Sequence, residues 1–178
     1  MKKSVFAPIL VILIMSVMLG SVSRVLSSTE TAKKQEELNT MLHNLLPHSV
    51  EFVEEPYTGE DTNIRTVYKA ENGYVIESAV NGYAGEISML VGVRNKGTVT
   101  GVVVRELSET PGLGANAYTD AEFLAQFLNT SGEAAVGTTV DAMSGATVSS
   151  KAVTRAVNSA VAFVTGADVT SSASEWGG

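Results

Sequence analysis

The chain opens on Ser4–Ser23, twenty uncharged positions drawn mostly from Val, Ile, Leu and Met. Twenty helical residues span about 30 Å, the thickness of a bilayer's hydrocarbon core. Residues 4–23 are therefore expected to cross a lipid bilayer as a single anchor. Lys2 and Lys3 precede the run, and positive charge favours the cytoplasmic side. Everything after the anchor is then expected on the extracytoplasmic, periplasm-like side of a bacterial or archaeal cell membrane. Ser21-Val22-Ser23 is a small-x-small triplet, as at signal-peptide cleavage sites. The apolar region of such a signal is shorter, about 7–15 residues, which favours an uncleaved anchor.

Beyond the anchor the pattern becomes helical. Thr29–Leu46 sets Leu38, Met41, Leu42, Leu45 and Leu46 on one face, and Pro47 closes the run. This reads as a stalk helix packed on a domain, or one docked on a partner protein. From Gly73 to Glu106 the pattern is that of strands. Tyr74–Val80, Glu86–Arg94 and Thr98–Arg105 are rich in β-branched residues, divided by Asn81-Gly82 and Asn95-Lys96-Gly97. Such turns connect neighbouring antiparallel strands. Asp61–Ala70 is a further strand candidate. A helix is expected near Asp120, where Thr119 and Glu122 fit a capping box. Another is expected over Ser150–Val164, with Val153, Ala156, Val157, Ala160, Val161 and Val164 as its buried stripe. The fold class is α+β: one transmembrane helix, then one domain with a largely antiparallel sheet and flanking helices. The expected divisions are 1–28 for the N-terminus and anchor, 29–47 for the stalk, 48–166 for the domain, and 167–178 for a Ser/Gly-rich flexible tail.

Charge and composition narrow the chemistry. Of 12 basic and 19 acidic residues, Lys2, Lys3 and Arg24 are the only charges in residues 1–28, so the remainder is strongly acidic. Such a surface repels nucleic acid. The absence of cysteine excludes disulfides, thiolate metal sites and a cysteine nucleophile. His43 and His48 have no neighbours that complete a metal site or a triad.

Two segments carry candidate chemistry. Asp141-Ala142-Met143-Ser144-Gly145-Ala146-Thr147 places a hydroxyl behind two small residues at the expected start of a helix. Small residues admit a bulky group close to the backbone, and helix N-termini favour anions. The plain alternative is an ordinary helix entry in which a hydroxyl serves as N-cap. Ser108-Glu109-Thr110-Pro111-Gly112-Leu113-Gly114 follows the last strand. Its glycines and proline describe a fixed turn able to approach a planar ligand, or one that merely leads from sheet to helix. No Gly-x-Gly-x-x-Gly follows a strand, so nothing here provides a nicotinamide site.

Asp-x-x-Ser-Gly-Ala-Thr resembles the flavinylation motif of the covalent FMN-binding domain family, and Glu-Thr-Pro-Gly-Leu-Gly is similar to that family's flavin-side loop. With the anchor and closing helix in the same order, nearly the whole chain resembles the G-subunit family of Rnf-type complexes. Those complexes pass electrons between ferredoxin and NAD and couple this to ion translocation. The resemblance implies FMN joined to Thr147 by a phosphoester bond. It implies a separate, magnesium-dependent flavin transferase that uses FAD and reads Asp141, Ser144, Gly145, Ala146 and Thr147. Ser144, Gly145 and Ala146 would also line the cofactor, and Glu109, Thr110, Gly112, Leu113 and Gly114 would border its isoalloxazine. Lys151, one helical turn beyond Thr147, is positioned to offset phosphate charge. No catalytic residue and no metal ligand are expected. The partners implied are the other membrane subunits of such a complex, and the role is an electron relay. The alternatives are a C-subunit-like component of a sodium-pumping NADH:quinone reductase, a stand-alone extracytoplasmic flavin carrier, and a tethered module without cofactor.

Overall fold

The computed structural model describes residues 32–83, 85–107 and 120–167. The expected anchor (4–23), the second motif (Glu109–Gly114) and the tail from Asp168 lie outside them. Among the described residues no helix is long and apolar enough to cross a membrane. The chain divides into two compact units, Met1–Thr40 and Met41–Gly178, with the boundary inside helix α1, residues 32–45. In the first unit residues 32–40 are helical and exposed apart from Leu38.

The second unit is built on five strands: β1 Val53–Pro56, β2 Ile64–Ala70, β3 Gly73–Asn81, β4 Glu86–Arg94 and β5 Val99–Leu107. They lie in sequence order and every neighbouring pair is antiparallel, as the short Asn/Gly connections require. The strand expected over Asp61–Ala70 begins at Ile64. Sequence pattern alone does not reveal β1. Its four residues are all exposed, so no apolar alternation marks it; pairing of Val53 with Lys69 and Glu55 with Val67 creates it.

Helices α2, Ala121–Ala125, and α3, Thr147–Thr165, complete the unit. Helix α2 departs from the expected capping box. Asp120 is the N-cap, and its carboxylate Oδ1 accepts the Phe123 N–H at 2.9 Å. That leaves Glu122 one position short of the site where a reciprocal Glu would bond. Burial fixes the frame, because Phe123 must point inward, where its ring meets Phe127 edge-on. Helix α3 is three residues longer at its start than its apolar stripe suggests. Gly166, left-handed at φ +68, ends it.

Both faces of the sheet are covered. Ile76, Val80, Ile87, Met89, Val91 and Val93 share a core with Val153, Ala156, Val157, Ala160 and Val161 of α3. On the opposite face, Gly92 and Gly101 stand side by side in the ladder. A Cβ at Gly92 would meet the Leu45 carbonyl oxygen at 2.9 Å, and one at Gly101 would meet Leu45 Cδ2 at the same distance. The glycines thus form a trough for the end of α1, where Leu42, Leu45 and Leu46 are buried. Thr100 Oγ1 donates to the Leu45 carbonyl and ties the helix end down.

The same sheet face carries an ion pair, Arg105 Nη1 to Glu77 Oε1 at 2.7 Å. Burial, reinforced by Glu77 and Glu54 and opposed by Arg105, pushes the phenol of Tyr68 up to about 12. The folded state therefore keeps a proton that the unfolded chain releases near its ordinary value of 10. Stability is full below that value and falls as pH rises toward 12. Tyr68→Phe should flatten this alkaline decline in urea-unfolding midpoints without changing the neutral-pH plateau by more than about 1 kcal/mol. Gly92→Ala should cost about 1–3 kcal/mol by the same measurement, because backbone and Leu45 leave no room for a methyl group.

Candidate functional site

The Asp141–Thr147 segment is shaped by its own glycine and by two polar side chains, Ser150 and Gln126. Met143 to Ala146 form a tight turn, closed by the Ala146 N–H on the Met143 carbonyl at 3.0 Å. Gly145 supplies the φ of +74 that its third position requires. Met143 and Ala146 are buried in the main core, while Ser144, Gly145 and Thr147 are exposed. The turn is anchored by its apolar ends and offers its small and hydroxylated residues to solvent.

Ser150 joins this turn to α3. Fully buried, its Oγ accepts the Met143 N–H at 3.1 Å and donates to the Ala146 carbonyl at 2.9 Å. Farther along α3, Asn158 grips Ala134 by both backbone groups: its Oδ1 accepts the Ala134 N–H at 3.3 Å and its Nδ2 donates to the carbonyl at 2.8 Å. Gln126, at the C-cap of α2, does the same for Asp141, accepting its N–H at 2.7 Å and donating to its carbonyl at 3.4 Å. The Asp141 side chain remains exposed.

The motif sits directly at the start of α3. Ala146, not a hydroxyl residue, occupies the N-cap, and no side chain caps α3. Thr147 is the first helical residue, and the helical bonds begin with the Ser150 N–H on the Ala146 carbonyl. The N–H groups of Thr147 and Val148 therefore stand at the positively polarised end without a helical acceptor. A threonine that served only as a cap would sit one position earlier and bond the turn that follows. Lys151 is exposed one turn on, as expected from the spacing. Arg155 follows on the same flank, and its buried Nε has no hydrogen-bond partner.

Asp141, Ser144, Gly145 and Thr147 are thus exposed together on one segment, with Ala146 buried beneath it. Glu109, Thr110, Gly112, Leu113 and Gly114 lie outside the described residues. The last described residue before them, Leu107, pairs with Ile87. Gly97, in the β4–β5 turn, packs against Thr165 at the far end of α3. The 19 residues of α3 rise about 28 Å, close to the length of the nine-residue strands beneath. Thr147 accordingly lies at the end of the sheet where β5 finishes.

Sequence reasoning missed Gln126, Ser150 and Asn158. Ser150 left a trace, a hydroxyl residue inside the apolar stripe of α3. The two carboxamides left none, since their partners lie 15 and 24 positions away.

Residues 82–162 match the FMN-binding domain family. The chain is 37% identical over 145 residues to the G subunit of the ion-translocating oxidoreductase complex of Methanosarcina acetivorans, covering 72% of this chain and 76% of that protein. It is 39% identical over 110 residues to the G subunit of the proton-translocating ferredoxin:NAD(+) oxidoreductase complex of Clostridium ljungdahlii, covering 55% and 59%. It is 34% identical over 98 residues to the G subunit of the Na(+)-translocating ferredoxin:NAD(+) oxidoreductase complex of Acetobacterium woodii, covering 50% and 47%.

Two substitutions test how the segment is held. Ser150→Ala strands a buried N–H at Met143 and should cost about 1–3 kcal/mol in urea unfolding. It should also speed amide exchange at Met143. A Cβ at Gly145 would meet nothing within 4 Å, so Gly145→Ala should cost only the left-handed strain, about 1–2 kcal/mol.

Proposed function

We propose, from the premise that this chain belongs to the G-subunit family of ion-translocating oxidoreductase complexes, that it is an electron-transfer subunit bearing FMN on Thr147. The observation that carries the assignment is the exposed Thr147 hydroxyl, first in a helix that no side chain caps, directly after the Gly145 turn. A phosphoester there would lie beside the N–H groups of Thr147 and Val148, which have no helical acceptor, and open space over Gly145 would leave room for the group's approach. The residues fit the cofactor.

Attachment is a phosphoryl transfer made by a separate flavin transferase. Thr147 Oγ1 forms a bond to the FMN phosphorus of FAD as the pyrophosphate bond breaks and AMP leaves with its electron pair. The hydroxyl proton passes to the transferase. Asp141, Ser144, Gly145 and Ala146 are the features read beside Thr147, and the Gln126 clamp presents the Asp141 carboxylate outward. Lys151 lies on the flank where it offsets the phosphate's charge within an acidic domain.

Bound FMN supplies an acceptor of one or two electrons. The chain's share of the work is to retain it, orient it and screen its charge. Glu109, Thr110, Gly112, Leu113 and Gly114 border its ring system in this reading. Residues 4–23 hold the domain, about residues 48–166, at the extracytoplasmic face of the membrane beside the other members of the complex. Two relatives named for different ions, protons and sodium, match this same chain. That agrees with a redox relay here and ion selection elsewhere in the complex.

The test is the mass of the peptide between Arg105 and Lys151 after tryptic digestion of protein co-expressed with a flavin transferase. The wild type should gain FMN less one water, and Thr147→Ala should gain nothing. An unmodified wild-type peptide alongside a control substrate that the same transferase loads would overturn covalent attachment.

A further inference from the structure

The β3–β4 hairpin holds a large aromatic side chain for which the fold has no use. Asn81 pairs with Glu86, and the Gly82 N–H donates to the Gly85 carbonyl at 2.8 Å to close the turn. Tyr83, between those glycines, is 69% exposed, more than any other aromatic residue among the described ones. The exposed Phe163, by contrast, meets Tyr57 and Tyr74 edge-on. Among the described residues Tyr83 packs against no ring at all.

Its place in the fold gives the side chain a use. Contact between Gly97 and Thr165 sets the C-terminal end of α3 over the β4–β5 turn. Since α3 and the strands are of similar length, the helix begins at the opposite end of the sheet, which is where the β3–β4 hairpin lies. Ile87, the second residue of β4, is fully buried at that end of the sheet. The hairpin and Thr147 therefore emerge together from one end of the domain. With 69% of its surface exposed, the Tyr83 ring is open to the approach of a planar group. Planar aromatic systems favour offset stacking over other arrangements of their rings.

We propose that Tyr83 is a flavin-contacting residue, its phenol ring stacked on the isoalloxazine carried by Thr147. This rests on the flavin reading and adds an orienting contact from a second element of the fold. An electron-rich phenol or indole in van der Waals contact quenches flavin emission by donating an electron to the excited flavin, whereas a phenyl ring, harder to oxidise, stacks without quenching.

The experiment uses full-length protein co-expressed with a flavin transferase, each sample first verified by mass to carry FMN at Thr147. The variants are Tyr83→Leu, Tyr83→Phe and Tyr83→Trp. Tyr83→Leu should raise emission per bound flavin roughly threefold or more and shift the visible absorption band toward that of free FMN. Tyr83→Phe should keep the wild-type absorption band while emission rises, and Tyr83→Trp should be at least as dark as wild type. A loss of fold would change all three variants alike and is read separately by thermal unfolding. Failure of the wild type to carry FMN would defeat the attachment itself and is seen in the mass before any spectrum is taken. Fully loaded Tyr83→Leu with wild-type emission and absorption would overturn the contact.

Discussion

The packing of one helix across one sheet underlies everything else in this domain. Helix α3 presents a stripe of alanine and valine, small enough for it to lie close over β3 and β4. Burying each valine contributes about 1.5–3 kcal/mol, and the stripe extends from Ala152 to Val161. Because the helix and strands match in length, seating its end against Gly97 also fixes its start. Thr147 is placed by core packing distributed along the helix, not by contacts of its own. That lets the residue remain exposed while its backbone position is set.

Exposure has a structural cost, which polar side chains offset. The stretch from Ala134 to Thr147 contains little regular structure, and such segments owe their order to specific bonds. Here Ser150 and Asn158 reach out from α3, and Gln126 reaches from α2. Each mimics a backbone partner, giving or taking the hydrogen bonds that a neighbouring strand would otherwise make. A neutral bond of this kind contributes about 1 kcal/mol, enough in sum to hold one conformation. The result is a loop rigid at its ends and open at Ser144 and Gly145. Rigid scaffolds carrying chemically active loops are a general arrangement.

A second feature follows from covering the sheet on both faces. Strand β4 reads as Ile-Ser-Met-Leu-Val-Gly-Val, with apolar residues on each side. The Gly92–Gly101 pair explains the interruption, since Leu45 needs that space. The end of α1 is thereby fastened to the sheet by shape, and the Thr100 bond to its last carbonyl adds direction. The Glu77–Arg105 pair lies on this same face, where partial burial strengthens it and Glu77 helps to keep Tyr68 protonated.

What the sequence determined by itself was local. Strand-like runs and the Asn/Gly turns between them marked β3, β4 and β5 as neighbouring antiparallel strands, while the order of the whole sheet was left to packing. Helical spacing marked the buried face of α3, and Ser-Gly-Ala-Thr marked the residue on which the proposed function centres. The tertiary structure alone decided the rest. It made β1 a strand through pairing with β2, although its own residues carry no pattern. It moved the α2 cap to Asp120 because Phe123 had to be buried, and it set Ala146, not a hydroxyl, at the N-cap of α3. It also recruited Gln126 and Ser150 to hold the attachment segment and Asn158 to hold Ala134 ahead of it, and set the Tyr83 hairpin at the same end of the sheet. Period and propensity act over a few residues and are written in order along the chain. Hydrogen bonds and core contacts between distant positions exist only once packing has brought those positions together.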